Sequence, residues 1–268
     1  MAASSEPYSP MAFVASLGAS IWHDNGLTIG SIDLHPSMWA AGTNRPRLGI
    51  LAILADLVMS SPPSGMLAPT VDLRVELIGE LPPTGRLRAV ASMLRVGRRL
   101  AVGEAWLDVD GSRCARATAT FVGPADPDAR APSLAASFAP TSTPPKRPES
   151  FEKLIELTHP EIGTTVVGSM WSIRNGPGQT IQGGVQAMIA EIAAEGSLGP
   201  KQWAAVDVDL RFLASVGAGP VVASSEVIMQ DPASASMRVT LRDASDLDPD
   251  RLVAYAAIRC RHVERSGS

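Results

Sequence analysis

"RLGILAILAD" (Arg47–Asp56) and "QGGVQAMIAE" (Gln182–Glu191) are one ten-residue phrase written twice. Arg47 to Gln182 and Asp56 to Glu191 are both steps of 135 residues (182 − 47 and 191 − 56), and Gly49 with Gly184, Ala52 with Ala187 and Ala55 with Ala190 coincide at that offset. Each phrase is apolar nearly all round, which predicts a helix enclosed on every side rather than one resting on a surface. Each ends in an acid. A carboxylate left unpaired inside such a helix costs on the order of several kcal/mol or takes up a proton, so Asp56 and Glu191 either face water or have a task.

The repeat extends outward from the two helices. Downstream, "VDLRVELI" (71–78) matches "VDLRFLAS" (208–215) at an offset of 137 (208 − 71), a two-residue insertion after the helix; upstream, "TIGSIDL" (28–34) resembles "VVGSMWS" (166–172). Both halves have the same order: a short helix ("SPMAFVASLG", "SFEKLIELT"), a strand, a loop with Gly or Pro, the apolar helix, and a run of strands. The first run is "TVDLRVELI", "GRLRAVASMLRV", "RRLAVGEAWLDV" and "SRCARATATFV", its last two strands joined through Asp110 and Gly111 in a hairpin setting. The second run is "AVDVDLRFLA", "GPVVASSEVIMQ", "SASMRVTLRD" and "RLVAYAAIRCRHV". A strand, one buried helix and an antiparallel run predict a sheet wrapped around a helix, made twice.

Between the halves, Gly123–Ser150 is rich in Pro, Ala and Ser without a sustained apolar period, and reads as a linker or surface crossover. The expected units are 1–122, a linker over 123–149, and 150–268. A chain of 268 residues, 45% hydrophobic, is long enough for one large core or two smaller ones. With a net charge of −4, thinly spread basic residues and 4% aromatics, it offers no phosphate-tracking stripe or base-stacking platform, so nucleic acid is not an expected partner. No apolar stretch approaches the roughly 18 residues that span a bilayer, and the first residues lack a basic, then apolar, leader; a cytoplasmic protein without a membrane partner is expected. Cys114 and Cys260 read as small core or strand residues, with a disulfide the weaker alternative. His23, His35, His159 and His262 lack partners at metal-ligand spacing, so no metal or other cofactor is expected. Trp22, Trp39, Trp171 and Trp203 flank the predicted helices, as core or pocket residues.

The small-residue pair, apolar run and "LAD" or "IAE", followed by "TVDLRVEL" and "GRRLAVGEAWLDVDGSRCARATATF", resemble the hotdog-fold acyl-CoA thioesterases of the phenylacetic-acid-degradation type, duplicated into a double hotdog. The resemblance covers roughly 26–122 and 164–263. It implies an α+β fold of two antiparallel sheets, each wrapped around a long central helix and joined into one continuous sheet. It also implies hydrolysis of an acyl-CoA or another acyl thioester in fatty acid metabolism, without a cofactor. In that family the helix opens with His-Gly-Gly and carries an acid eight residues after the first glycine. Here the second half has Gln182, Gly183, Gly184 and Glu191, with only the histidine replaced, and the first half has Arg47, Leu48, Gly49 and Asp56. The group needed at the helix start is a backbone N–H, which Leu48 also supplies; glycine adds room for a ligand.

Eight residues at 1.5 Å rise set Gly183 about 12 Å from Glu191 along the axis, too far for one thioester carbonyl to touch both. Each site must therefore take its acid from the other helix, giving two composite centres: the Gly183 amide with Asp56, and the Leu48 amide with Glu191. The first is the expected reacting centre, with Gly183 polarising the carbonyl and Asp56 acting as general base or nucleophile. Asn175 in "RNGPGQTIQGG" and Gln182 are candidates to orient that loop or the substrate, and Arg98, with Arg95 and Arg99, to meet coenzyme A phosphates. A decayed site that only binds acyl-CoA is the alternative. A hotdog hydratase, which pairs an Asp with a His five residues later, fits less well because those positions are Ser61 and Gly196. Exposed sheet edges make a homo-oligomer an expected assembly.

Overall fold

Strands with small or apolar residues at every second position build one broad sheet. In a computed structural model, the structure describes residues 12–67, 69–122, 134–136, 138–139, 150–168, 174–175, 180–199, 202–216, 219–245 and 248–263. The first half contains α1 (Ala12–Ser16), β1 (Ser20–Asp24), β2 (Leu27–Leu34), α2 (Leu48–Met59), β3 (Thr70–Leu77), β4 (Gly85–Val96), β5 (Leu100–Val109) and β6 (Ser112–Val122). The second contains α3 (Phe151–Leu154), β7 (Leu157–Glu161), β8 (Thr164–Val167), β9 (Arg174–Asn175), β10 (Thr180–Ile181), α4 (Gly183–Leu198), β11 (Trp203–Phe212), β12 (Val221–Gln230), β13 (Ser234–Ser245) and β14 (Asp248–His262). Along β6, Ala115, Ala117, Ala119 and Phe121 are buried while Arg116, Thr118 and Thr120 between them are not, the period-two pattern of a half-buried strand.

The main sheet is 12-stranded, in the order β1-β2-β4-β5-β6-β3-β11-β14-β13-β12-β8-β7, so the second half repeats the first in reverse, and β9 and β10 form a separate pair. The two expected sheets are joined at one seam, where the repeated "VDLR" segments of β3 and β11 pair antiparallel with each other. Leu73 lies opposite Leu210, Asp72 opposite Arg211 and Arg74 opposite Asp209. Opposite charges directly across the seam favour this register. On the outer face, Arg74 also bridges to Asp207 through Nε and Nη2, at 3.0 and 2.9 Å.

α2 packs on the strands of its own half and α4 on the strands of the other, and the two helices pack against each other. Every residue of α2 is buried, as its all-round apolar sequence predicts. The helices run in opposite senses and cross at two glycines. A methyl group at Gly49 would lie 2.3 Å from Met188 Cβ, and one at Gly184 would lie 2.3 Å from Ile53 Cα and 2.4 Å from its nitrogen. These are the same contact seen from each side of the repeat, and only hydrogen at both positions lets the backbones approach so closely.

Two expectations change. Each half opens with a hairpin, β1–β2 and β7–β8, where one strand was expected. In the first, Asn25 and Gly26 both have positive φ (48° and 79°), the conformation that an Asn-Gly turn supplies. Within the expected linker, Phe138 is buried, and its carbonyl accepts from the Ile21 N–H at 2.7 Å, tying it to the edge strand. "SFEKLIELT" forms a single helical turn and then enters β7. The Asp110–Gly111 hairpin forms as expected, both residues again at positive φ, and Cys114 and Cys260 are free, buried thiols.

The crossing makes a paired prediction. Gly184→Ala should lower unfolding stability by roughly 1–3 kcal/mol through overpacking. Gly196→Ala, on the same helix but with nothing within 4 Å of the added carbon, should raise it by up to about 1 kcal/mol. Urea denaturation of the two variants checks both signs.

Candidate functional site

The first four N–H groups of a helix lack partners within it. Here the opposing helix supplies partners for the first two. Because α2 and α4 are antiparallel, Asp56 in the third turn of α2 arrives at the start of α4, and Glu191 in the third turn of α4 arrives at the start of α2. Gly183 and Gly184 direct their amides at Asp56. Leu48 and Gly49 donate to Glu191 Oε1 and Oε2 at 2.9 and 2.7 Å. Negative charge at a helix N-terminus is favoured by the helix dipole. Each acid of the repeat is therefore placed at the start of the opposing helix.

The surroundings of the two acids differ. Asp56 is held by neutral donors: Thr70 Oγ1 donates to Oδ1 at 2.9 Å and Gln182 Nε2 to Oδ2 at 2.7 Å. The Gln182 amide is oriented by its other end, since Oε1 accepts from the Val185 N–H at 2.9 Å and caps α4. Burial pushes the Asp56 carboxyl up to about 6, against the opposing pull of Thr70, Gly184 and Gly183. A side chain at Gly183 would meet Asp56 Oδ2 and Phe212 Cζ, each at 3.0 Å, so glycine leaves the carboxylate's face clear.

Glu191 sits instead beside an ionic cluster. Arg47 Nη1 donates to Glu195 Oε2 at 3.1 Å and Arg47 Nε to Glu152 Oε1 at 2.8 Å, while Arg45 Nη1 donates to Glu195 Oε1 at 3.0 Å. Glu195 also accepts from the Ala205 N–H at 2.9 Å. Burial and the neighbouring Glu195 raise the Glu191 pKa, opposed by Arg47, the Gly49 amide and Arg45. Burial works against the Arg47 charge, yet Glu195, Glu191 and Glu152 together hold its pKa above the ordinary value. A cleft of about 410 Å3 opens next to this cluster, on Arg47, Glu152, His159, Thr165, Ile192 and neighbouring residues. It lies on the Glu191 side of the molecule, not at Asp56.

Of the remaining candidates, Gly49 and Gly184 are at the helix crossing, where packing alone requires glycine, and Leu48 is buried. Asn175 is in the short β9–β10 pair, opposite Thr180; Trp171 and 176–179 of the same loop lie outside the described residues. Arg98 is exposed in the β4–β5 turn with Arg95 and Arg99 nearby. That turn leads into Leu100, which pairs with Val122; Phe121 in turn pairs with Thr70. Thr70 was missed from the sequence, although its position at the head of the repeated "VDLR" strand, where the other half has Asp207, marks it as different. Trp203 is buried and stacks edge-on with His262 at 5.2 Å. His23 contacts the Ser61 carbonyl oxygen at 3.0 Å, and His35 accepts from the Ser37 N–H. Among the described residues no group of three His, Cys, Asp or Glu could hold a metal ion, and no helix is long and apolar enough to cross a membrane.

No family model matches the chain, and no curated protein does. Solved structures do. A protein of Novosphingobium aromaticivorans that carries a provisional thioesterase assignment is 20% identical, covers 91% of this chain and 98% of its own, and superimposes with a TM-score of 0.59. The TesB protein of Mycobacterium avium subsp. paratuberculosis is 11% identical over 96% of this chain and 100% of its own, with a TM-score of 0.62. The acyl-CoA thioesterase II of Mycobacterium marinum is 11% identical over 95% and 100%, with a TM-score of 0.58. The chain thus shares the tandem hotdog fold of these proteins along nearly its whole length.

The buried Asp56 carboxyl makes stability depend on pH. Its pKa in the fold, about 6, lies above the unfolded value of 3.8. The fold therefore holds this proton more tightly, and the associated stability is present below about pH 4 and lost as pH rises to about 6. Asp56→Asn cannot ionise, so its stability relative to the parent should improve across that window by up to about 3 kcal/mol and level off above it. Urea midpoints measured for both proteins from pH 4 to 8 check the direction.

Proposed function

We propose that this chain hydrolyses acyl thioesters, of coenzyme A or of a carrier protein, to the free acid and thiol, and that the reacting centre is the one built on Asp56. One observation carries the reading: a buried carboxylate, held by neutral donors at the glycine-opened start of a helix, with a pKa raised to about 6. Such a group is ionised at neutral pH and basic enough to take a proton from water. The fold shared with an acyl-CoA thioesterase II supports the substrate class.

In this reading the thioester oxygen takes the Gly183 N–H, at the positive end of α4. Water attacks the carbonyl carbon and gives its proton to Asp56. The tetrahedral oxyanion is stabilised by the helix N-terminus, the C–S bond breaks, and the departing thiolate recovers the proton from Asp56. Binding also primes the base. The glycine amides hold the Asp56 pKa down, so an amide that turns to the substrate leaves Asp56 more basic. Thr70 and Gln182 hold one oxygen each, which favours Asp56 as general base; direct attack would require one oxygen to leave its donor.

Neighbouring strands are about 4.8 Å apart, so the start of β5, two places from Thr70, is about 10 Å from it, and the exposed Arg98 turn just before that strand suits the anionic end of the substrate. The repeated units 1–122 and 150–268, connected by 123–149, supply both helices of the centre from one chain. A homo-oligomer is then not required for the site to be complete.

Release of free thiol from a panel of acyl-CoAs of increasing chain length tests the activity. Asp56→Asn should lower kcat by about 10²–10⁴-fold, and the parent's kcat/KM should rise with pH through about 6, the value at which Asp56 ionises. Thr70→Val, which removes a donor that lowers that pKa, should move the rise to higher pH. Unchanged turnover in Asp56→Ala overturns the assignment.

A further inference from the structure

We propose that the Glu191 centre is a closed ionic clamp that holds α2, and with it Asp56, in position, and that it turns over no substrate, so that the chain has one reacting centre. The inference rests on the hydrolytic reading above and specifies what the second half of the repeat does for it.

The two centres are copies in backbone and differ in side chains. At the offset of 135, Arg47 stands where Gln182 stands, Arg45 where Thr180 stands and Glu195 where Ser60 stands. The three residues are charged beside Glu191, and their counterparts in the repeat are neutral residue types. Leu48 replaces Gly183, so a buried side chain stands at the position that is glycine beside Asp56. The Leu48 and Gly49 amides hold both carboxylate oxygens of Glu191, as the Gly183 and Gly184 amides are directed at Asp56, so the two centres differ in their side chains and not in their helix starts. The neighbouring cleft is walled by Arg47 and Glu152, which are paired with each other, and neither Glu191 nor Leu48 is among its lining residues. A thioester could reach Glu191 only by parting Arg47 from its acids, leaving buried charges uncompensated.

The clamp acts on Asp56 through the helix. Leu48 and Asp56 are eight residues apart on α2, about 12 Å along one rigid axis. An axial slip where Glu191 grips the helix start moves Asp56 equally against Gln182 and Gly183, and reacting groups lose rate steeply with small misplacement. Glu191 is thus a positioning residue, with Arg47 and Glu195 bracing the same end of α2.

The test uses the full chain and a non-hydrolysable thioether analogue of an acyl-CoA that the parent hydrolyses. Calorimetric titration should give one analogue per chain; two per chain overturns the inference. Glu191→Gln should lower kcat by about 10- to 100-fold with KM within about threefold. It should also move the rise of kcat/KM to higher pH, since a displaced Asp56 loses the donors that hold its pKa down. Parent-like kcat and pH dependence overturn the positioning role. If Glu191→Gln does not fold, the double variant Arg47→Gln/Glu195→Gln, which removes opposite charges together, provides the same readouts. About half the activity surviving in Asp56→Asn, and lost on adding Glu191→Gln, would show that the second centre reacts, sinking this inference while leaving hydrolysis intact. Full activity in Asp56→Asn would overturn the Asp56 assignment, and no release of thiol by the parent from any acyl-CoA of the panel would sink the hydrolytic reading itself.

Discussion

Each central helix directs its first two amides at a carboxylate carried by the other. This reciprocal capping, Asp56 to the start of α4 and Glu191 to the start of α2, is the interaction on which the rest depends. It requires the helices to be antiparallel, to overlap by the right number of turns and to touch closely, and Gly49 and Gly184 make that approach possible. Neither helix could be buried alone with its first turn unsatisfied. The sheet follows the same constraint, since two enclosed helices side by side need a single surface wide enough to cover both, and the β3–β11 seam supplies it.

From that symmetric frame the two ends have taken different chemistry. Around Asp56 the partners are a threonine, a glutamine and backbone amides, which orient the carboxylate without neutralising it. Around Glu191 they are two arginines and two further acids, which consume one another's charge. A buried ion cluster is hard to open, because removing one member strands the others. A buried carboxylate with neutral donors is the opposite case: its proton affinity is raised by burial and adjustable by each hydrogen bond it gains or loses. The same backbone thus offers a locked end and a responsive end.

Much of the fold was legible in the sequence because its signals are periodic. The offsets of 135 and 137 locate the helices and the strands that follow, and the alternation in "SRCARATATF" assigns an inner and an outer face. The turns were less well read. Asn25-Gly26 is a hairpin signal in its own right, yet the short strands flanking it carry too few alternating residues to be recognised as a pair. Phe138 was hidden among Pro, Ala and Ser because a single anchoring side chain has no period.

The sequence by itself determined that two equivalent helices exist and that each carries an acid at the same register, because periodicity and the cost of burying charge are local properties; that the acid of one meets the start of the other was implied by the family resemblance together with helical rise. Only the tertiary structure decided what surrounds each acid. Thr70 is 14 residues from Asp56 and Gln182 is 126 away, while Glu195 meets Arg47 across 148. Partnerships at such separations depend on how strands and helices are stacked, and nothing in the local residue pattern encodes them. The neutral setting of one acid and the ionic setting of the other are therefore properties of the packing.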